Sequence, residues 1–126
     1  MSAINSSTLA TPLAATTGTP FHASGTIAAS PGATVTVFSF TVPALTTRNI
    51  ATLFVTSENP GRFSLLSGGS EIAAGEIFEA EKNITFKFDP SRPISAGTLV
   101  ELEYAAPSEP TAGCPVSGFL AANDFT

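Results

Sequence analysis

Clusters of Gly, Pro, Ser and Thr divide this 126-residue chain into short runs of β-branched and aromatic residues. No apolar pattern with a period of 3.6 residues lasts for three turns, so amphipathic helices are not expected. About eight short strands fit between the turn signals, which is the number found in a sandwich or jelly roll. The sequence therefore predicts an all-β fold, an antiparallel β-sandwich or jelly-roll-like domain over residues 25–126, with an extended N-terminal arm over residues 1–24.

Local turn chemistry locates several elements in the first half of the domain. Ser30-Pro31-Gly32-Ala33 predicts a turn, and a hairpin is expected to begin there. The apolar alternation of the next strand changes parity near Phe38, which predicts a β-bulge or burial on both faces. The adjacent glycines Gly68 and Gly69 predict a tight hairpin, because glycine accepts positive φ without steric cost.

The second half alternates more regularly. Segments 83–88 and 98–104 each place apolar residues on one face, so we expect two strands that pair with each other, with 90–97 as their connection. Tyr104 has the parity of the apolar residues in its strand and is expected in the core. A last strand is predicted over 116–122, followed by a short acidic tail.

Formal charge is distributed very unevenly along the chain. The first 47 residues contain no Asp, Glu, Lys or Arg, and the other 79 contain all fifteen. A long neutral run of small and hydroxyl-bearing residues favours contact with another protein surface, although a floppy hydroxyl-rich tail explains residues 2–20 equally well. The candidate partner-binding residues are the larger side chains of the arm: Ile4, Leu9, Leu13, Phe21 and His22.

Composition argues against several classes of partner. A net charge of −5 with only five basic residues does not supply the footprint of a nucleic-acid-binding protein. No run of eighteen apolar residues suggests a membrane span, and the N-terminus lacks the pattern of a signal peptide, so we expect synthesis in a cytoplasm. The lone Cys114 has no intramolecular disulfide partner.

Groups suited to catalysis are scarce. One His and one Cys cannot supply most nucleophile, general-base or metal arrangements, so we expect no enzyme activity, no cofactor and no metal site. Glu76, Glu79 and Glu81 lack the loop spacing of a calcium site, and Glu101 and Glu103 share one strand face as solubilising charges. With no Trp and a single Tyr, the chain also lacks the aromatic platform of a sugar-binding module.

The region from Phe40 to Pro93 contains a series of short motifs in a particular order: Val42-Pro43-Ala44, Thr47-Arg48-Asn49, Leu53-Phe54-Val55-Thr56-Ser57, Gly61-Arg62-Phe63, the Gly68-Gly69 hairpin, Phe86-Lys87-Phe88 and Pro90-Ser91-Arg92-Pro93. In the order of these motifs the chain resembles small virion proteins of tailed bacteriophages. The resemblance implies a β-sandwich of the capsid cement or decoration type, with no catalytic residue to carry over.

That resemblance implies a structural role on the outside of a phage head. The partners would be the major capsid protein and neighbouring copies of this chain in a homo-oligomer, the location the virion surface, and the site of synthesis the host cytoplasm. The alternative is a tail or fibre module that adheres to a host-surface glycan or protein through loops such as 57–60 and 107–115.

Overall fold

A computed structural model describes residues 18–58, 60–77, 82–107 and 114–126 of the chain. Within these ranges all of the regular secondary structure is β-strand. In chain order the strands are β1 (Thr19–Ala29), β2 (Thr34–Thr41), β3 (Thr47–Ser57), β4 (Gly61–Ser67), β5 (Ser70–Ile77), β6 (Asn83–Ile94), β7 (Leu99–Ala105) and β8 (Cys114–Phe125).

The strands are arranged as one long antiparallel hairpin folded over on itself. Strand β4 pairs with β5, β3 with β6, β2 with β7 and β1 with β8, each pair nested inside the next. Two further pairings, β3 with β8 and β4 with β7, complete two four-stranded sheets of order β1-β8-β3-β6 and β2-β7-β4-β5. This is the strand order of a jelly roll, so the predicted all-β sandwich of jelly-roll type is confirmed.

The core lies between the sheets and is built from the inward-facing side chains of both. The largest fully buried side chains are Tyr104, Phe63, Ile50, Leu53, Leu65, Ile77, Leu102 and Leu120. Tyr104 is in the core as expected, and its hydroxyl donates to the Pro60 carbonyl at 3.1 Å and accepts from Ser57 Oγ at 3.2 Å. A buried phenol needs such partners, because an unpaired hydroxyl in the core is costly.

One side of the sandwich is closed by β1 and β2, which are edge strands of different sheets. Gly25 on β1 faces the bulged part of β2, and a Cβ at this position would overlap the carbonyl oxygen of Val37. The register of β2 shifts between Thr36 and Phe38, and both Val37 and Phe38 are buried. The parity change near Phe38 therefore marks a real β-bulge, as predicted.

Local turns were predicted more accurately than strand partners. The Gly68-Gly69 hairpin is present between β4 and β5, with φ values of 58° and 88°. The Ser30–Ala33 turn is also present, closed by a hydrogen bond of 3.0 Å from the Ala33 amide to the Ser30 carbonyl. The hairpin expected from that turn is wrong, because β1 and β2 lie in different sheets.

The expected pairing of segments 83–88 and 98–104 is also wrong. Strand β6 pairs with β3, whereas β7 pairs with β2 and β4 in the other sheet. Segment 90–94, expected to be part of a connection, continues β6 beside β3 as far as Ile94. Because β6 is an edge strand, its prolines can leave the outer hydrogen-bonding side unpaired without breaking the ladder.

Both ends of the jelly roll extend further than the sequence indicated. Strand β1 begins at Thr19, so Thr19–Ser24, assigned to the arm, are paired with β8 within the sheet. Strand β8 continues through the expected acidic tail to Phe125. The rest of the arm, residues 1–17, lies outside the described residues and stays a prediction.

Candidate partner-binding face

The outer face of the β1-β8-β3-β6 sheet contains almost no charge. Alternate residues of β1 are exposed on this outer face, and the strand register shows which residues of β8, β3 and β6 lie beside them on the same face. The residues on this face are Pro20, His22, Ser24, Thr26 and Ala28 on β1, Pro115, Ser117, Phe119, Ala121 and Asn123 on β8, Asn49, Thr52, Phe54 and Thr56 on β3, and Asn83, Thr85, Lys87 and Pro93 on β6. Lys87, on the edge strand, is the one formally charged residue among them, and two further exposed charged residues, Asp89 and Arg92, follow it on the same edge strand. We call this surface the neutral face.

The outer face of the β2-β7-β4-β5 sheet has the opposite character. Its outward positions include Glu101 and Glu103 on β7, Arg62 on β4, and Glu71 and Glu76 on β5. Arg62 makes an exposed ion pair of 3.2 Å with Glu71. We call this surface the acidic face, and it agrees with the solubilising role expected for Glu101 and Glu103.

Two exposed phenylalanines lie at the centre of the neutral face. Phe54 on β3 and Phe119 on β8 are 37% and 40% exposed and are directly opposite each other in the β3–β8 register. The imidazole of His22 on β1 lies beside Phe119, with ring centroids 5.3 Å apart. Because β3 and β8 are the two central strands, this aromatic patch is surrounded on all sides by Ser, Thr, Ala and Asn. An apolar centre with a polar rim is the usual anatomy of a protein–protein interface.

The inward face of the same sheet contains a buried ion pair that anchors β1. Arg48 is 4% exposed and forms two hydrogen bonds to Asp124, Nε to Oδ1 at 2.6 Å and an Nη to Oδ2 at 2.8 Å. Its guanidinium carbon lies 3.4 Å from the centroid of the Phe21 ring and 5.0 Å from that of Phe40. Two hydrogen bonds and an aromatic face compensate part of the desolvation of this cation.

The sequence-predicted partner-binding residues therefore have different surroundings. Ile4, Leu9 and Leu13 lie outside the described residues. Phe21 is half-buried and points inward, where its ring packs edge-on against Phe40 at 5.0 Å. His22, the next residue, is exposed on the neutral face.

Phe54 and Phe119 were not among the predicted residues. Their apolar neighbours in sequence made each look like one more core position, and only the register shows that they share an outward face. The signal available in the sequence was parity: Phe54 lies between the inward positions Leu53 and Val55, and Phe119 precedes the inward Leu120.

Groups for metal binding are not brought together in the described ranges. No three His, Cys, Asp or Glu side chains there are placed to hold a metal ion. No helix in the same ranges is long and apolar enough to span a membrane. A shallow depression of about 270 Å³ lies at one end of the sandwich, lined by Pro60, Gly61, Arg62, Glu76, Ile77, Ala105 and Pro107.

These features define an all-β jelly-roll domain with one neutral and one acidic face. No family model matches the chain, and no curated protein matches it. One solved structure with similarity is the insecticidal delta-endotoxin Cry8Ea1 of Bacillus thuringiensis, at 12% identity and a TM-score of 0.46, covering 75% of this chain and 19% of that one.

Two further structures have the same kind of similarity. The CBM36-1 domain of a multidomain xylanase from the hindgut metagenome of Trinervitermes trinervoides aligns at 12% identity and a TM-score of 0.43, covering 86% of this chain and 92% of that domain. The VP2 subviral particle of infectious bursal disease virus aligns at 17% identity and a TM-score of 0.38, covering 82% and 32%. Viral capsid proteins are thus among the structural neighbours, but similarity at this level assigns no function.

Proposed function

We propose that this protein is a structural subunit of a virus particle, of the type that binds the outside of a phage head and reinforces the shell as a cement or decoration protein. The observation that carries the proposal is the absence of formal charge from the first 47 residues, which include the described strands β1 and β2. An assembly subunit benefits from a segment without charge, because burying Lys or Glu at a contact would require desolvating the charge.

The order of the phage-like motifs between Phe40 and Pro93 supports the same proposal. In the fold these motifs supply β3, β4, the hairpin and β6, which are scaffold elements and not a reactive site. Repeated over a symmetric shell, contacts that are individually modest would hold the lattice together through multivalency.

In this proposal the N-terminal segment, residues 1–17, contacts the coat. The structure indicates where to cut the chain for a test. A deletion of residues 2–24 would remove half of β1 together with Phe21, whereas a deletion of residues 2–17 leaves the whole of β1 in place.

The decisive experiment is quantitative mass spectrometry of purified particles, with the copy number of this chain related to that of the most abundant coat protein. A ratio near one, or a simple fraction, is the expected result. The protein lacking residues 2–17 should fold and fail to bind particles. Absence from the particle would overturn the proposal, and full binding by the shortened protein would overturn the role of the segment.

The second candidate is a tail or fibre module that adheres to the host surface. The shallow depression favours it, because Pro60 and Pro107, one from each of the segments that would carry the contact, both line it together with Arg62 and Glu76. This candidate requires a handful of copies per particle and measurable affinity for host envelope. The cement candidate requires a high copy number and affinity for the head.

A further inference from the structure

The neutral face is a large unpartnered surface with its apolar groups at the centre. We propose that it pairs with the neutral face of a second copy of this chain, forming a two-fold dimer by packing sheet against sheet. The proposal concerns a different surface from the N-terminal segment and stands independently of any role in a virus particle.

Charge is the first argument for a second copy as the occupant. The protein has a net charge of −5, so two copies repel each other unless they approach through a surface with few carboxylates. The neutral face is such a surface, because its strands β1, β8 and β3 contribute no outward carboxylate and Asp89 lies on the edge strand β6. With sheets stacked about 10 Å apart, the two acidic faces of the dimer would be about 30 Å from each other, which is about three Debye lengths at 0.1 M salt.

Register supplies the second argument. Phe54 and Phe119 lie at the same height on neighbouring central strands. A two-fold axis running along the strands, between β3 and β8, places Phe119 of one copy over the partner's Phe54, and the reverse. The four rings then form one cluster at the middle of the interface. The same axis places Lys87 of edge strand β6 opposite the partner's β1, which contains no formally charged residue, so no like charges meet.

The size of the face sets the expected strength of the pairing. Four strands at a spacing of about 4.8 Å, each about nine residues long, cover about 570 Å² per copy. The two copies together reach about 1,100 Å², near the lower limit for specific interfaces. We therefore expect a weak dimer with a dissociation constant on the order of 10–100 µM.

The test is sedimentation equilibrium of the full chain between about 1 µM and 1 mM. The expected result is a monomer–dimer equilibrium that Phe119→Ser weakens at least tenfold. Leu99→Ser is the matched control, because Leu99 is 43% exposed but lies on the opposite sheet, and it should leave dimerisation unchanged. A second pair of variants tests the interface without changing either phenylalanine. Thr52→Glu on the neutral face should block dimerisation, whereas Thr36→Glu on β2 should not.

Each outcome decides the proposal. A protein that stays monomeric to 1 mM overturns it, as does an oligomer that responds equally to Phe119→Ser and Leu99→Ser. Thermal unfolding of every variant shows that the fold is retained, so a loss of dimer is assigned to the surface. Dimerisation without any association with virus particles would refute the proposed function and leave this inference intact. Association with virus particles by a protein that stays monomeric would refute this inference and leave the proposed function intact.

Discussion

Removal of the Asp124 carboxylate is expected to lower the free energy of unfolding more than loss of the exposed Arg62–Glu71 ion pair. Arg48 is almost fully buried, and its only carboxylate partner among the described residues is Asp124, through two hydrogen bonds of 2.6 and 2.8 Å. Removing one member of a buried pair leaves the other charge uncompensated, at a cost of about 3–5 kcal/mol. Asp124 is 19% exposed, so water reaches the site, and we expect the lower value for Asp124→Ala, about 3 kcal/mol.

The converse substitution, Arg48→Met, keeps the aliphatic volume beneath Phe21 and removes the cation. It loses both hydrogen bonds and the cation–π interaction with the Phe21 ring, and a cost of about 3 kcal/mol is expected. The double variant contains no unpaired charge, so it should be about as stable as either single variant. The double-mutant cycle then yields a coupling free energy of about 2–3 kcal/mol.

Equilibrium unfolding in urea measures these free energies directly. A loss of 3 kcal/mol should also lower Tm by about 10–15 °C for a domain of this size. Arg62→Met provides the control, because the Arg62–Glu71 pair is about half exposed on both sides and should contribute less than about 1 kcal/mol. A coupling below about 1 kcal/mol between Arg48 and Asp124 would refute the reasoning, since the two hydrogen bonds could not then persist in solution.

Three further predictions concern packing and the chain ends. Gly25→Ala should cost about 3 kcal/mol in urea unfolding, because the added methyl meets the backbone carbonyl of Val37, which cannot move without shifting β2; a neutral effect would mean that β1 and β2 are not in contact. Tyr104→Phe should cost about 1–2 kcal/mol through loss of the hydroxyl bonds, including that to Pro60, and unchanged stability would contradict those bonds. Deletion of residues 2–17 should change the free energy of unfolding by less than about 0.5 kcal/mol, and a larger loss in calorimetry would show that the segment packs on the domain.

Features that depend on neighbouring residues could be read from the sequence. Gly68 and Gly69 specify their hairpin because both need positive φ, and the bulge near Phe38 follows from a parity change within one strand. The incorrect predictions of strand pairing have a different cause. In a jelly roll, consecutive strands repeatedly change sheets, so the adjacency of 83–88 and 98–104 in sequence predicts a pairing that the topology excludes.

The candidate site was predictable only in part. Of the candidate residues named from the sequence, His22 lies on the neutral face, and only the β1 part of that face falls within the charge-free first 47 residues. Phe54 and Phe119 are 65 residues apart in the chain, so their juxtaposition requires knowledge of the β3–β8 register. The Arg48–Asp124 pair spans a similar separation, and no local pattern distinguishes a buried arginine from the exposed ones.

The nested pairing of the strands also implies an order of folding. The β4–β5 hairpin closes a loop of two residues, whereas β1 must find β8 across most of the chain, and the entropy of loop closure rises with that length. We expect the roll to close from the Gly68-Gly69 hairpin outwards, with the β1–β8 seam formed last.

During translation this order leaves β1 without its partner for some time. A ribosome adding about 5–20 residues per second needs roughly 4–17 s to proceed from Ala29 to Cys114. In that interval β1 has an unpaired edge, which in a hydrophobic strand would promote aggregation. The exposed positions of β1 include Pro20, His22, Ser24 and Thr26. The strand that pairs last therefore has few apolar side chains on that face to promote aggregation of the nascent chain.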